Sequence, residues 1–184
     1  MVYNYPMTSQ DILKFAKIIG KSKKIKRSGW VREKINNPES VAEHSFRLIA
    51  LSMVLAPLLD VDQDKLIKMA ILHDLGETET GDLVVERGKQ INPKLRTAKE
   101  IKEENIVRRL LGVFGKEYYE IFHEMIQRKS RESKIFWQLD KLEMAIQAHE
   151  YQEEQNKDLS EFFQNAKIHI SDSTLKSVLD LLNE

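Results

Sequence analysis

The sequence predicts an all-α fold in a single domain over residues 1–184, and three observations predict it. Glycine and proline are scarce, at 7 and 4 residues, so long stretches run without the two strongest helix breakers. Apolar residues recur at three- and four-residue steps, and no stretch alternates in the period-two manner of a half-buried strand. Nothing repeats, and no segment has the biased composition of a linker. A chain of 184 residues is long enough to bury a substantial core as one domain.

The elements follow in order. Ser9 is placed to cap a helix over Asp11–Ile19, which Gly20 ends. Residues 20–38 read as irregular and carry Lys21, Lys23, Lys24, Lys26 and Arg27, then Gly29-Trp30 and Arg32. One reading is a solvated basic loop whose Trp30 plugs the core. The other is a phosphate-attracting rim with an aromatic platform. Pro38 opens a helix to Leu59, with Glu39 and Glu43 in its first turn. Val41, His44, Leu48, Leu51 and Leu55 share one face of it. Asp62 caps the next helix, running to about Leu75, with Leu66, Met69, Ala70 and His73 on one side. Gly76 breaks it, leaving His73-Asp74 in its last turn and Glu77 to Asp82 in a turn or short helix. Residues 83–92 form a polar loop.

Pro93 begins a charged helix to Leu111 with a narrow stripe of Ile101, Ile106, Val107 and Leu110. Gly112 and Gly115 bracket a break, and Tyr118, Ile121, Phe122, Met125 and Ile126 mark another helix, with His123 off its apolar stripe. Ser133 to about Gln155 is broadly apolar, yet Asp140 lies in its middle and Glu143 follows three residues later. His149 sits among acids and reads as solvated. Leu159–Ile170 and Thr174–Leu182 close the fold.

Charge is balanced at 29 basic and 29 acidic residues, which argues against a dedicated nucleic-acid or acidic-membrane binder. With no cysteine there is neither a disulfide nor a thiolate metal site, so any metal takes nitrogen and oxygen ligands. Met1 to Gln10 lacks the basic flank and apolar core of a signal peptide. The longest near-apolar run, Leu48 to Leu59, is too short to span a bilayer. The expectation is a cytoplasmic protein with no membrane association.

A lone histidine on an apolar face is usually a core residue bonded to a carbonyl, and a lone buried aspartate is usually in a salt bridge, here to Lys141 or Lys134. His44, His73-Asp74 and Asp140 put three such exceptions on three separate apolar helices. Together they make a two-imidazole, two-carboxylate set of the kind a divalent ion accepts.

That ordered set resembles the HD-domain metal phosphohydrolases. Gly29-Trp30, the run Pro38 to Ser45, His73-Asp74-Leu75-Gly76-Glu77 and Thr80-Gly81-Asp82-Leu83 are similar to the subgroup of 5′-deoxynucleotidases. The resemblance covers about Lys24 to Tyr151. It implies an all-α bundle in which His44, His73, Asp74 and Asp140 bind one divalent ion (Co, Mn, Ni, Zn, Fe or Mg). It also implies a nucleotide substrate, a deoxyribonucleoside 5′-monophosphate, and a homodimer. Glu77 matches the family's catalytic acid, Asp82 a residue that contacts the sugar, and Trp30 an aromatic that walls the sugar pocket. By their chemistry alone, either Glu77 or Asp82 could protonate the leaving oxygen. In a bacterial branch an Arg directly precedes the Trp and orients the phosphate. Gly29 stands there in this chain, so Arg27 or Arg32 is the candidate for that role. Two alternatives remain: an HD phosphohydrolase for nucleoside triphosphates or cyclic nucleotides, and a non-catalytic module touching nucleic acid through Lys21 to Arg27.

Overall fold

A computed structural model describes residues 8–82 and 93–182, with backbone alone for 93–96. Helix α1 (Ser9–Ile19) is capped one residue ahead of the expected cap. Thr8, not Ser9, accepts the Asp11 N–H, and Asp11 takes the Thr8 N–H in return, a reciprocal capping box. A tight 3₁₀ turn follows over Gly20–Lys23.

The stretch read as irregular contains a short helix, α2 (Ser28–Arg32). Just before it the chain runs antiparallel to the residues leading into the next helix. Arg27 N–H donates to Glu39 O at 3.0 Å and Val41 N–H to Ile25 O at 2.9 Å. This bridge between Lys26 and Ser40 is isolated, and no strand occurs among the described residues. Its effect is to pin Arg27 beside the start of α3 (Val41–Leu59).

Helix α3 begins at Val41 rather than Pro38, because Ser40 is its cap. Ser40 Oγ accepts from Glu43 N–H, and Glu43 returns the bond to Ser40 N–H. Glu39 therefore lies outside the helix, and it is buried. The inner face of α3 is Val41, His44, Leu48, Ser52, Ala56 and Leu59. By length and composition α3 could cross a membrane, but here its inner face packs against α4 and α8. Its outer face exposes Phe46, Met53, Val54 and Leu58.

Helix α4 (Gln63–Leu72) is capped by Asp62, as expected, and stops earlier than expected. His73 is its C-cap, still in right-handed helical geometry. A tighter turn, with Leu75 N–H on Leu72 O at 3.1 Å, leads to α5 (Glu77–Thr80). The polar loop read at 83–92 lies outside the described residues.

Then come α6 (Pro93–Leu111), α7 (Lys116–Gln127), the long α8 (Arg131–Gln155), α9 (Ser160–His169) and α10 (Ser173–Leu181). On α6, Ile106, Val107 and Leu110 are buried as expected, but Ile101 is 54% exposed. The buried line continues instead through Glu103 and half-buried Lys99.

Helix α8 is the axis of the bundle. At 25 residues it is about 37 Å long. Ile135, Phe136, Leu139, Leu142, Ala145 and Ala148 are buried along it, together with Leu48 of α3, Leu66 and Met69 of α4, and Phe122 and Met125 of α7. A helix packed on so many sides has little room for a polar residue on water, so Asp140 and Glu143 are carried into the interior.

Candidate metal centre and active site

Three helices deliver the centre. His44 comes from the second turn of α3, held inward by the Ser40 cap. His73 and Asp74 come from the turn that ends α4, and Asp140 from the middle of α8. The His44 and His73 rings stand 5.3 Å apart, centroid to centroid, with Phe136 against the far side of His73 at 5.5 Å. One donor atom from each of His44, His73 and Asp140 lies within 4.8 Å of the other two. His44 Nε2 is 3.4 Å from Asp140 Oδ1, and His73 Nε2 is 3.0 Å from Asp74 Oδ2. Donors about 2.1 Å from one ion stand roughly 3–4 Å from each other, so His44, His73 and Asp140 suit a shared cation, and Asp74 adjoins them through its contact with His73.

The imidazole tautomers point the same way. His73 Nδ1 is 2.9 Å from Ala70 O. A carbonyl only accepts, so Nδ1 carries the proton and Nε2 presents a lone pair. His44 Nδ1 bonds the Glu143 carboxylate, an arrangement that recurs behind metal-binding histidines. Both Nε2 atoms are buried, and beyond the contacts with the Asp74 and Asp140 carboxylates neither has a hydrogen-bond partner. Each such orphan costs about 1–3 kcal/mol, a cost that a metal ion or a proton removes; burial and Arg27 oppose a proton on His44, but the Glu143 and Asp140 carboxylates push its imidazole up to about 10.

The charges around the centre are strongly coupled. Burial opposes ionisation of Asp74, but His73 and Arg27 hold its carboxyl well below the usual range. Burial likewise opposes Asp140, and Lys141 and His44 overcome it. Arg27 donates to Asp74 Oδ2 at 3.0 Å. Its guanidinium stays charged despite burial, surrounded by Asp74, Asp82, Asp140 and Glu77. Arg32 points elsewhere, to Glu33, Glu161 and the Phe162 ring. Of the two candidate arginines, only Arg27 is at the centre.

Glu77 is 4% exposed. Its carboxyl is pushed up to about 9, by burial first and then by the charges of Asp74 and Asp82, with Lys99 opposing. Lys99 of α6 donates to Glu77 Oε1 at 2.6 Å and also pairs with Glu103 at 3.2 Å, while Glu77 Oε2 is buried without a partner. Asp82 Oδ2 accepts from Ser28 N–H at 2.6 Å and Ser28 Oγ–H at 3.0 Å, tying the end of this segment to α2. Gly76 permits the close approach of α6. A Cβ there would stand 2.7 Å from Glu103 Cβ and Cγ.

Trp30 departs from the expected open wall. It is 1% exposed, with Tyr151 edge-on at 5.3 Å and Phe162 at 4.3 Å, and its indole N–H donates to Glu39 Oε1 at 2.8 Å. An indole enclosed in this way offers no face to a sugar. Lys99, Glu103, Ser28 and Glu39 were not among the expected site residues. A usable signal existed for two of them, since Lys99 and Glu103 continue the Ile106–Leu110 line at helical spacing. Of the other histidines, His123 pairs with Glu104 and His149 with Glu153, both near the surface.

Fold and site together define an all-α protein with a buried histidine-and-carboxylate centre of metal-binding type. The chain belongs to the HD domain family, which it matches over residues 19–180. The match runs past the expected 24–151 to include α9, whose Phe162 packs on Trp30, and most of α10. It is 31% identical over 180 residues to a protein of Danio rerio named 5'-deoxynucleotidase HDDC2, covering 95% of this chain and 87% of that one. A Dictyostelium discoideum protein of the same name is 36% identical over 158 residues, covering 78% and 79%. A conserved hypothetical protein from Pyrococcus furiosus has a similar solved structure, with a TM-score of 0.76 and 32% identity over 93% of this chain and 98% of that one.

Proposed function

We propose that this protein is a divalent-metal-dependent 5′-deoxynucleotidase, releasing phosphate from deoxyribonucleoside 5′-monophosphates. The observation that carries the reading is the pair of buried, partnerless imidazole nitrogens, His44 Nε2 and His73 Nε2, beside Asp140 and Asp74. The names of the relatives supply the substrate class. His44, His73, Asp74 and Asp140 would hold the ion, and the donor set suits Co, Mn, Ni, Zn, Fe or Mg. When bound, such an ion supplies Lewis acidity and lowers the pKa of water.

The chain's own groups do the rest. Water oxygen adds to phosphorus as the P–O5′ bond breaks, and negative charge spreads over the phosphoryl oxygens. Arg27, fixed by Asp74, faces that charge as a half-buried cation. Glu77 protonates the leaving O5′, because its surroundings hold the neutral carboxyl that a general acid needs. The proton lost by water returns to Glu77 through solvent. Lys99 holds Glu77 Oε1 and leaves Oε2 to reach the substrate. Asp82 is kept by Ser28 at the edge of the site, where a sugar hydroxyl can be met. Trp30 acts on the pocket indirectly, through the packing that fixes α2 and Glu39.

The exposed apolar face of α3, with Phe46, Met53, Val54 and Leu58, supports a homodimer, since soluble monomers rarely leave such a patch uncovered. The catalytic reading is tested by stripping the protein with chelator. Phosphate release from paired deoxy- and ribonucleoside 5′-monophosphates is then followed with Co, Mn, Mg, Zn or no metal. Metal-dependent release from the deoxy set is expected. Release that persists in chelator, or none from any monophosphate with metal bound, contradicts the reading.

A further inference from the structure

A third cation stands near the centre without a role in the chemistry above. Lys141 follows Asp140 on α8, and its Nζ lies 2.9 Å from Asp140 Oδ2, while Asp140 Oδ1 is the oxygen nearer His44 Nε2. The ammonium is therefore one carboxylate away from the cluster of ligand-type atoms. Its other contact is the Met144 sulfur at 3.9 Å, a weak acceptor. An ammonium has three N–H donors, so among the described residues one carboxylate and one sulfur leave it under-used. Its side chain is 27% exposed, enclosed enough to strengthen a charge contact and open enough for a ligand to reach.

Three lysines and arginines approach the site, and they differ in how far they are already satisfied. Lys99 is held between Glu77 and Glu103. Arg27 is bound to Asp74 and half-buried. Lys141 has the loosest hold, with a single carboxylate partner and a side chain that is still 27% exposed.

Charge balance gives the exchange a direction. Asp74 and Asp140, the two carboxylates of the proposed ligand set, are offset by Arg27 and Lys141 respectively. Counting only the two ligand carboxylates and the cations paired with them, the double charge of a bound divalent ion is left to face the substrate, and it matches the dianion of a phosphate monoester. Without Lys141 the same count falls by one.

We infer that Lys141 is a substrate-binding residue that donates to a phosphoryl oxygen and sets the preference of the site for a dianionic phosphate. The inference rests on the phosphomonoesterase reading and adds to it a residue and a charge rule.

The test uses inorganic phosphate as the probe, so that it does not depend on turnover. Phosphate binding to the manganese-loaded protein is measured by calorimetry for wild type, Lys141→Met and Lys141→Arg, with metal content determined on each sample. Lys141→Met is expected to weaken phosphate binding about tenfold, the size of one charge-assisted hydrogen bond, with metal content unchanged. Lys141→Arg is expected to stay within about threefold of wild type, because it keeps the charge. Where monophosphate is hydrolysed, the loss in Lys141→Met should appear mainly in KM.

Unchanged phosphate affinity in Lys141→Met overturns the inference. So does a loss that only follows lost metal, which would make Lys141 a support for Asp140. A wild type that binds no phosphate overturns it as well. If phosphate binding depends on Lys141 but no monophosphate is hydrolysed, the Lys141 assignment stands and the nucleotidase reading falls.

Discussion

His44 has two sides, and both are lined with the residue types that hold metal. In front are His73, Asp74 and Asp140. Behind are Glu39 and Glu143, both buried and within 4.8 Å of a His44 nitrogen. Composition does not separate the two clusters, but partners do. Behind, Glu143 takes the His44 Nδ1 proton and stands 3.6 Å from Arg47 Nε, and Glu39 takes the Trp30 indole N–H. Burial, then the Glu143 charge, pushes the Glu39 carboxyl up to about 7, so this side already sheds negative charge. In front, both imidazoles turn a bare Nε2 toward two carboxylates held ionised. Behind, Glu143 Oε1 also lacks a hydrogen bond, but Arg47 Nε stands 3.6 Å from it, whereas the front cluster offers two imidazole nitrogens to an ion.

The largest effect should come from breaking the front. Asp140→Asn is expected to abolish metal uptake at stoichiometric ion, and turnover with it, measured by elemental analysis and phosphate release on the same sample. Glu77→Ala should keep its metal and lose turnover by about a hundred- to ten-thousandfold, the usual worth of a positioned acid. Full turnover in that variant would transfer the acid role to Asp82. Glu143→Gln reaches the centre only through His44, and should weaken metal affinity about ten- to a hundredfold in a chelator competition. Gly76→Ala touches neither cluster. It should push α6 away and cost about 1–3 kcal/mol of stability in denaturant unfolding, with a fall in turnover as Lys99 leaves Glu77.

The front of the site was legible in the sequence because it obeys helical spacing. His44 lies three after Val41 and four before Leu48, His73 closes the Leu66–Met69–Ala70 line, and Asp140 interrupts an apolar helix. The back was not legible. Glu39 read as a first-turn acid of α3, because Pro38 looked like the start. The Ser40–Glu43 capping pair marks the true start and would have set Glu39 outside. Arg27 reaches Asp74 through a pairing of residues 25–27 with 39–41, a long-range contact that no local pattern encodes. Lys99 read as part of a solvated face although it continues the Ile106–Glu103 line, and Lys141 read only as a salt-bridge partner for Asp140, because a lysine's position on a helix does not say where its long side chain ends. Trp30 was read both as a core plug and as a pocket wall, and its burial fits the first.

The most direct test is the position of the ion. Crystals of the protein grown with manganese would give an anomalous difference map in which the metal identifies itself. One peak between His44 Nε2, His73 Nε2, Asp74 and Asp140 is the predicted result. A peak behind His44, between Glu39 and Glu143, or a fully loaded protein with no peak at the front, would contradict the account.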